Sequence, residues 1–458
     1  MDLFFEPRSL AVIGASMTRG KPGRVIIENL LENGYRGVIF PVNPKYRKIL
    51  GLRAYRSVKD IPYKVDIAFI IVPAFLCVNA VRECAEKGIR AVVIVAGGFS
   101  EVDEDGARLQ REIYKIANAH GVRIVGPNTS GIISTPGRLV ATFFPLGKVP
   151  RGSISYVAQT GNFATHTMRW ILTSENFGVS RVVGLGNKCD VDEADVLKYL
   201  GDDPNTKVVG IYMEGIRNGR RLLRVAKKVS RTKPVIALKS GITEAGARTA
   251  LSHTASMASN DLIVDFAFRQ AGILRLQSYE DLINVAKAFA FQPVPRGNRV
   301  GIMSPSGAMG AIMADACEKK GLRVPSLKES TIGKIQEISP KWLKINNPVD
   351  VWGPITLCGF ERAYRVSMEA LLADDRIDAV IPILMLVKEF PTKSLGFIPK
   401  LNLKHSQKPI MVTATGDEGL YKKAKRYLEA FRIPVYTPLE KAAEALAAMY
   451  RYRILNSG

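Results

Sequence analysis

Short apolar runs of strand length alternate along the chain with longer amphipathic stretches. In the first 130 residues the apolar runs lie near positions 10–13, 38–40, 67–72, 91–95 and 123–125. Stretches with helical periodicity, such as 23–33 and 105–119, lie between them. The same alternation continues through the rest of the sequence. Alternating strands and helices are typical of parallel sheets covered on both faces, so the sequence predicts an α/β protein.

Two long segments of the chain repeat each other. The block Ile154–Gly161 recurs as Val300–Gly307, 146 positions later. Repeated blocks of this kind predict two domains of the same fold. With 458 residues the chain is too long for one ordinary core. We predict a Rossmann-like domain followed by two flavodoxin-like domains, with the boundaries 1–130, 131–291 and 298–458.

The first repeat carries an extension that the second repeat lacks. From Gly241 to Ile273 the chain advances 32 positions, whereas from the matching Gly416 to Ile433 it advances 17. The extra 15 positions accommodate a segment around His253, whose neighbours are Ser, Thr and Ala. An addition to a duplicated scaffold suggests chemistry more than packing, so His253 is the candidate nucleophile.

A carboxylate in the same repeat is a candidate partner for that histidine. Glu214 ends an apolar run, and the segment Gly201–Asp203 earlier in this repeat returns as Ala373–Asp375. On that alignment the second repeat has Leu386 where the first has Glu214. A carboxylate can accept a proton from one imidazole nitrogen and leave the other nitrogen nucleophilic.

The remaining histidines suggest no chemistry. His120 and His405 lie in polar stretches before predicted strands, and we expect both side chains to be solvated. His166 lies on a predicted helix, where packing is its expected role. No two histidines have the spacing of metal ligands, so no metal site is predicted on this chain.

Each repeat has a short polar segment between a predicted strand and the helix that follows. The residues are Thr160, Gly161 and Asn162 in the first repeat, and Ser306, Gly307 and Ala308 in the second. Helix capping by a hydroxyl side chain is one explanation. Two equivalent copies also allow two helix N-termini to converge on one anion, for which phosphate is the natural candidate.

The first domain carries a candidate nucleotide-type site at the carboxyl ends of its predicted strands. Its residues are Gly14, Ala15, Ser16, Lys21, Asn43, Lys45, Val72, Pro73 and Asn128. A glycine turn between a strand and a helix lets backbone N–H groups approach a pyrophosphate. The loop matches neither the dinucleotide-binding fingerprint nor the P-loop spacing, so a purely structural turn stays an alternative.

The composition of the chain limits the classes of ligand and the cellular compartment that we expect. The formal net charge is +23, with basic residues dispersed along the chain. This favours polyanionic small ligands, an acidic partner chain or a heat-adapted surface over nucleic acid. No apolar run reaches membrane length, and the N-terminus has no secretory pattern. Five cysteines without CxxC spacing are typical of a reducing compartment, so we expect a cytoplasmic protein.

Together these motifs resemble the succinyl-CoA synthetase superfamily, and in particular the α subunits of archaeal ADP-forming acyl-CoA synthetases. Gln159 to Asn162 resembles the Gln-Ser-Gly-Asn opening of a phosphate-binding helix, with Thr in place of Ser. Residues 304–308 resemble the opening of the second such helix, and 252–256 resemble the segment whose histidine is phosphorylated. Residues 9–16, 42–45 and 126–128 are similar to CoA-binding signatures.

The resemblance implies an acid–thiol ligase of the ADP-forming acetate–CoA ligase type. Acyl-CoA, phosphate and ADP would yield acid, CoA and ATP through phosphohistidine at His253, with Glu214 orienting the ring. It also implies a separate ATP-grasp β subunit that carries ADP or ATP and Mg²⁺ in an α2β2 heterotetramer. Two alternatives stay open at this point: a CoA-binding regulatory protein, and a succinate or citrate ligase of the same superfamily.

Overall fold

The computed structural model describes most of the chain, namely residues 1–159, 161, 163–246, 248, 261–389 and 392–457. Two compact units are present, Met1–Gln277 and Ser278–Gly458. The predicted boundaries of three domains stay a prediction. In the described parts of the chain, every helix is too short or too polar to cross a bilayer.

The first region of the chain, which is fully described, forms a parallel sheet. Its strands are β1 Ser9–Ile13, β2 Val38–Val42, β3 Lys48–Ile49, β4 Leu52–Arg53, β5 Ile67–Ile70, β6 Ala91–Ile94 and β7 Arg123–Val125. The sheet order is β2-β1-β5-β6-β7, and β3 pairs with β4 in a separate antiparallel hairpin. The helices are Asp2–Phe5, Pro22–Glu32, Ala74–Glu86 and Glu104–Ala119, with a 3-10 turn at Val58–Asp60. The predicted elements of this region are present, with ends that differ by at most two residues.

The second sheet mixes parallel and antiparallel strands. Its strands are β8 Gly131–Ser134, β9 Leu139–Thr142, β10 Arg151–Ala158, β11 Val179–Gly184, β12 Val208–Met213, β13 Val235–Lys239 and β14 Leu274–Arg275. Their order is β14-β13-β12-β10-β11-β8-β9. The described helices are a π-helix at Phe163–Thr167 and α-helices Met168–Ser174, Glu193–Asp202, Gly219–Val229 and Asp261–Gln270. β8 and β9 depart from the expected parallel arrangement, because a short turn can join strands only in antiparallel pairing.

The third sheet lies in the second compact unit and is parallel. Its strands are β15 Val300–Ser304, β16 Val349–Asp350, β17 Ala379–Leu386, β18 Val412–Gly416 and β19 Val435–Tyr436, in the order β16-β15-β17-β18-β19. The described helices are Tyr279–Phe291, Gly307–Lys319, Glu329–Gln336, Trp352–Cys358, Phe360–Ala373, Phe397–Lys404, Glu418–Ala430 and Glu440–Leu455, with a 3-10 turn at Thr392–Gly396. Counted along the chain, the parallel strands of all three sheets have the order 2-1-3-4-5, which is typical of flavodoxin-like folds.

Matching hydrogen bonds fix the alignment of the two repeats. Asp203 and Asp374 each cap the C-terminus of a helix. The backbone carbonyl of Asp203 accepts the ammonium of Lys233, and that of Asp374 accepts Lys408, both at 2.6 Å. Asp374 therefore corresponds to Asp203, 171 positions earlier. The sequence alignment had paired Asp203 with Asp375, one position further along.

The strands that follow have the same displacement. The backbone N–H groups of Val209 and Val380, also 171 positions apart, donate to the proline carbonyl before the next strand at 2.9 and 3.0 Å. Glu214 therefore corresponds to Met385, and the predicted match with Leu386 is wrong by one position. The reason is that a strand buried on both faces is apolar throughout and carries no register signal. The inference that the second repeat lacks the carboxylate is unchanged.

One continuous core joins the first two sheets within the first compact unit. Leu10 of β1 and Val157 of β10 belong to the same cluster of buried apolar side chains. Polar contacts cross the same interface, because the amide nitrogen of Asn29 donates to the carbonyl oxygens of Thr142 at 3.0 Å and Phe144 at 2.8 Å. The first sheet is therefore held rigidly against the second by both apolar and polar contacts.

The buried cysteines generate a test of the fold. Burial raises the pKa of all five cysteines, to about 12 for Cys77, Cys189 and Cys317, but Cys358 is only half-buried and its thiol is the one a reagent can reach. Because the thiolate is the reactive form, one thiol should react rapidly with a disulfide reagent at pH 8 in the native protein. All five should react in denaturant. The measurement is the stoichiometry of the fast phase.

The control for this experiment is Cys358→Ser. This variant should lose the fast phase while keeping four thiols that react after unfolding. Rapid native labelling of two or more cysteines would contradict the packing described above.

Candidate active site

The turn after β1 lies directly against the end of β5. Gly14 has a φ of 94°, and a Cβ there would lie 2.8 Å from the carbonyl oxygen of Ile71. A Cβ on Gly23, in the first turn of the next helix, would lie 2.2 Å from the carbonyl oxygen of Gly14. Both positions require glycine, because a side chain would push the turn and the helix apart. The N-terminus of the helix Pro22–Glu32 is thereby held at the carboxyl edge of the sheet.

Asn43, just after β2, shapes the same turn. Its amide nitrogen donates to the carbonyl oxygen of Ala15 at 2.7 Å, and its amide oxygen accepts the backbone N–H of Lys45 at 2.9 Å. The hydroxyl of Ser16 accepts the backbone N–H of Thr18 at 3.1 Å. The predicted residues Ala15 and Asn43 are thus in contact, and the asparagine fixes the backbone that faces the edge.

Two exposed lysines flank this turn. Lys21 precedes the helix, and Lys45 follows β2. Neither has an ion-pair partner among the described residues, so both ammonium groups are available to an anion. At the end of β5, Val72 is half-buried and Pro73 is exposed. All four side chains therefore lie at the edge that the sequence predicted.

Asn128, after β7, completes the predicted set. It has a φ of 58°, and its backbone N–H donates to the carbonyl oxygen of Ala96 at 2.8 Å. Its amide nitrogen is 3.5 Å from the side-chain oxygen of Asn187. The nine predicted CoA-site residues therefore follow β1, β2, β5 and β7 at one edge of the sheet. Their role in binding CoA stays a prediction.

A turn at residues 185–191, which sequence reasoning missed, connects this edge to the second sheet. The backbone N–H groups of Asn187, Cys189 and Val191 donate to carbonyl oxygens in residues 124–127 at 2.9 to 3.0 Å. A Cβ on Gly186 would lie 2.1 Å from the carbonyl oxygen of Pro127. The two glycines of the Gly-Leu-Gly-Asn-Lys run after an apolar strand were the signal that could have revealed this close approach.

A buried hydrogen-bond network lies where β10 and β12 end. The side-chain oxygen of Gln159 accepts the backbone N–H of Glu214 at 2.8 Å and of Gly215 at 3.0 Å. It also accepts the ammonium of Lys188 at 3.2 Å. Lys188 is 2% exposed, and it donates in addition to the carbonyl of Gly215 at 2.7 Å and to the carboxylate of Glu193 at 3.1 Å. The structure thus joins Gln159, from the predicted phosphate motif, to Glu214, the predicted orienting carboxylate.

Glu214 is buried among polar side chains, two of which, Tyr212 and Ser240, are half-buried. Glu214 is 8% exposed, and the hydroxyl of Tyr212 lies 3.4 Å from its carboxylate and 3.1 Å from the hydroxyl of Ser240. Burial raises the pKa of Tyr212, so its hydroxyl keeps its proton and acts as a donor. Lys239 is also buried, and burial lowers the pKa of its ammonium group. Buried groups with shifted pKa values are typical of functional sites.

The predicted phosphate segments are described in part. Thr160 and Asn162 lie outside the described residues. Gly161 is half-buried, and a Cβ there would meet no atom within 4 Å. In the second repeat the helix begins at Gly307, and Gly307 and Ala308 are exposed after a half-buried Ser306. The convergence of the two helix openings on one phosphate stays a prediction.

The histidines are placed as follows. His253 lies outside the described residues. His120 is exposed, as predicted, and His166 is exposed on its helix with its ring 5.1 Å from that of Phe144. The prediction for His405 is wrong in part: its Nε2 is buried without a hydrogen-bond partner, and burial lowers its pKa. Among the residues that the structure describes, no three His, Cys, Asp or Glu side chains form a group that could hold a metal ion.

Two regions of the chain match known families. Residues 8–135 match the family described as a CoA binding domain. Residues 151–289 match the succinyl-CoA ligase like flavodoxin domain. The first match covers the edge built by Gly14, Asn43 and Asn128. The second covers Gln159, Glu214 and the segment that contains His253.

Full-length similarity extends over both regions. The chain is 38% identical to acetate–CoA ligase [ADP-forming] II subunit alpha of Pyrococcus furiosus, covering 100% of this chain and 99% of that protein. It is 42% identical to acetate–CoA ligase [ADP-forming] II of Archaeoglobus fulgidus, covering 98% of this chain and 66% of that longer protein. The solved "Ca. Korarchaeum cryptofilum dinucleotide forming Acetyl-coenzyme A synthetase 1 in complex with phosphate and ADP" superposes with a TM-score of 0.93 at 33% identity, covering 100% of this chain and 97% of that one.

The two family matches define a protein with a CoA-binding domain followed by a succinyl-CoA ligase like flavodoxin domain. More narrowly, the chain belongs to the family of ADP-forming acetate–CoA ligases, and the relatives of its own length are named α subunits. The predicted family, fold class and ligase interpretation are confirmed. The comparisons support this interpretation and neither of the two alternatives.

Gly14→Ala tests the close approach at the first edge. The new methyl group would meet the carbonyl oxygen of Ile71, so the turn must shift. We expect CoA affinity, measured by calorimetry on the full chain, to fall about tenfold or more, which corresponds to about 1.4 kcal/mol. Unchanged CoA affinity would contradict the placement of CoA at this turn.

Gly88→Ala is the matched control for this variant. Gly88 has a φ of 82°, close to that of Gly14, but a Cβ there meets no atom within 4 Å. Gly88→Ala therefore introduces only the strain of a left-handed backbone, which should lower the free energy of unfolding by about 1–2 kcal/mol. Its CoA affinity should equal that of the unsubstituted protein.

Proposed function

We propose that this chain is the α subunit of an ADP-forming acyl-CoA synthetase. With a partner subunit it converts acyl-CoA, phosphate and ADP to a carboxylic acid, CoA and ATP through phosphohistidine at His253. CoA binds at the edge formed by Gly14, Asn43 and Asn128. The names of the relatives support acetate as the acid. The similar solved structure is a complex with phosphate and ADP, which supports these two ligands.

The observation that carries the proposal is the position of Glu214. This buried carboxylate belongs to the repeat that contains the His253 extension, and its backbone N–H donates to the side chain of Gln159, the residue just before the predicted phosphate segment. The matching residue of the second repeat is Met385, which has no acid group. The two repeats therefore differ in both of the groups that phosphohistidine chemistry needs.

The first step is acyl transfer to phosphate. A phosphate oxygen attacks the thioester carbonyl, the carbon–sulfur bond breaks, and CoA leaves as a thiolate that takes up a proton. The products are an acyl phosphate and CoA. The N-terminus of the helix Gly307–Lys319 and the segment around Gly161 would stabilise the phosphate through backbone N–H groups.

The next steps move the phosphoryl group to the nucleotide. A ring nitrogen of His253 attacks phosphorus, the bond to the acyl oxygen breaks, and the acid leaves as a carboxylate. Glu214 accepts a hydrogen bond from the other ring nitrogen and stabilises the positive charge that develops on the imidazole. A terminal oxygen of ADP then attacks the phosphohistidine, which yields ATP and restores the histidine. A covalent intermediate divides one difficult transfer into two feasible ones.

The nucleotide belongs to a partner in this proposal. The Pyrococcus relative is named a subunit alpha, and the Archaeoglobus relative extends beyond the length of this chain. Both observations support a further polypeptide that completes the enzyme. By resemblance it is an ATP-grasp β subunit with ADP or ATP and Mg²⁺, in an α2β2 assembly.

His253→Ala tests the proposed nucleophile. Because the variant has no ring nitrogen to attack phosphorus, labelling of the chain by acyl-CoA and labelled phosphate should be lost. CoA affinity should be unchanged, since the predicted CoA residues lie elsewhere. In the unsubstituted chain the label should be acid-labile, base-stable and transferable to ADP by the partner. A label that maps to another residue, or full activity in the variant, would refute the scheme.

Glu214→Gln tests the proposed orienting group. An amide cannot stabilise the imidazolium as a carboxylate does, so the rate of labelling should fall about 100-fold. The loss should be smaller than in His253→Ala, and CoA affinity should again be unchanged. A rate equal to that of the unsubstituted chain would remove Glu214 from the mechanism.

A further inference from the structure

We propose that Gln159 and Lys188 are positioning residues of this reaction. Their hydrogen bonds hold the Glu214–Gly215 peptide in register with the start of the phosphate segment, and so set where the carboxylate of Glu214 lies. This inference rests on the proposed function, since it concerns the geometry of the same site. Neither side chain acts on the reacting atoms in this scheme.

The first support is the convergence of donors on one oxygen. Two consecutive backbone N–H groups, of Glu214 and Gly215, and the ammonium of Lys188 all point at the side-chain oxygen of Gln159. The backbone N–H of Gln159 in turn donates to the carbonyl of Tyr212 at 3.0 Å. Both the backbone and the side chain of Gln159 are therefore hydrogen-bonded to the end of β12 and the two residues that follow it. A shift of Glu214 relative to Gly161 would break several of these bonds together.

All three ammonium N–H donors of Lys188 have hydrogen-bond acceptors in the same network. An ammonium group has three N–H donors, and here they have three acceptors: the side chains of Gln159 and Glu193 and the carbonyl of Gly215. Both members of the Lys188–Glu193 ion pair are buried, with side chains 2% and 3% exposed. A buried charge is tolerated only when it is paired and hydrogen-bonded, so this lysine has one well-defined position.

The backbone on either side of Lys188 is hydrogen-bonded to residues 126–127, which precede Asn128 of the predicted CoA site. Lys188 has a φ of 53°, and its neighbours Asn187 and Cys189 donate backbone N–H groups to the carbonyls of Pro127 and Gly126 at 2.9 and 3.0 Å. The guanidinium of Arg217 donates to the carbonyl oxygen of Lys188. The backbone of Lys188 is therefore hydrogen-bonded next to the predicted CoA edge, while its side chain is hydrogen-bonded to Gln159 and Gly215 beside Glu214.

The second repeat shows that this type of fold does not need the network. Its first strand, β15, is followed by Pro305 at the position of Gln159, and proline has no side-chain hydrogen-bonding group. The corresponding end of β17 carries Met385 in place of Glu214. The order of the parallel strands is nevertheless the same in both repeats. The polar network is thus specific to the repeat with the proposed chemistry, which is why we assign it to positioning.

The test uses variants that remove parts of the network without leaving an unpaired buried charge. Lys188→Met combined with Glu193→Gln removes both charges at nearly constant volume, which limits the loss of stability. Gln159→Met removes the shared acceptor. In the full chain each should lower the rate of labelling by acyl-CoA and labelled phosphate about 10- to 100-fold, the effect of a displacement of about 1 Å. CoA affinity should stay within about twofold, because the loss is in the rate of the chemical step.

The combined triple variant supplies a further readout. If Gln159 and Lys188 act through one network, its rate should be close to that of the slower parent, not the product of the two losses. Fully multiplicative losses would mean that the two side chains act independently, and would overturn the proposal.

A second buried lysine–glutamate pair provides the matched control. Lys287 and Glu429, in the other compact unit, lie 2.8 Å apart with side chains 1% and 0% exposed. Lys287→Met combined with Glu429→Gln should lower the thermal midpoint of unfolding to a similar extent. Its labelling rate, measured well below that midpoint, should match the unsubstituted chain. Equal rate losses in the control would mean that general stability is responsible, and would also overturn the proposal.

The outcomes separate this inference from the proposed function. If the unsubstituted chain takes no label from acyl-CoA and phosphate, the proposed function itself fails. If it is labelled at His253 and the network variants are labelled equally fast, the function stands and the positioning role is refuted.

Discussion

The side-chain oxygen of Gln159 is the acceptor on which the geometry of the candidate site depends. It accepts three hydrogen bonds: from the backbone N–H groups of Glu214 and Gly215, which follow β12, and from the ammonium of Lys188 in the turn at residues 185–191. Because Gln159, Lys188 and the Glu214–Gly215 peptide are buried, a lost hydrogen bond there is not readily replaced by water. The arrangement is consequently rigid. It places a buried carboxylate, Glu214, beside Gln159, the residue that precedes the predicted phosphate segment, and Lys188 connects them to the turn that contacts residues 124–127.

Close backbone contacts determine the CoA side of the molecule in a comparable way. Gly14, Gly23 and Gly186 each lie where a Cβ would come within 3 Å of a backbone atom of another segment. Their role is to let two segments approach more closely than side chains permit. Through these contacts the turn after β1 meets β5, and the turn after β11 meets residues 126–128. The first two sheets therefore present their carboxyl ends from one continuous, tightly packed unit.

Much of this arrangement was predictable from the sequence. The alternation of apolar runs predicted five strands and two helices of the first region to within two residues, and the position of glycine and asparagine after those strands predicted the edge that carries Gly14, Asn43 and Asn128. The match of Leu386 to Glu214 was wrong by one position, because strands buried on both faces carry no alternation to set the register. Lys188 was missed because a single lysine in a turn resembles any solvated surface lysine until its burial is known.

The sequence by itself determined the class of elements, the duplication, the family and the edge at which ligand-binding residues collect. These properties follow from local periodicity and from residues that are neighbours in the chain. Only the tertiary structure decided which side chains share a hydrogen bond. Gln159, Lys188 and Glu214 are 26 to 55 positions apart, and their contact exists because β10 and β12 are adjacent in the sheet while the turn at 185–191 is held against residues 124–127. Such long-range contacts depend on sheet order and register, and neither leaves a local pattern in the sequence.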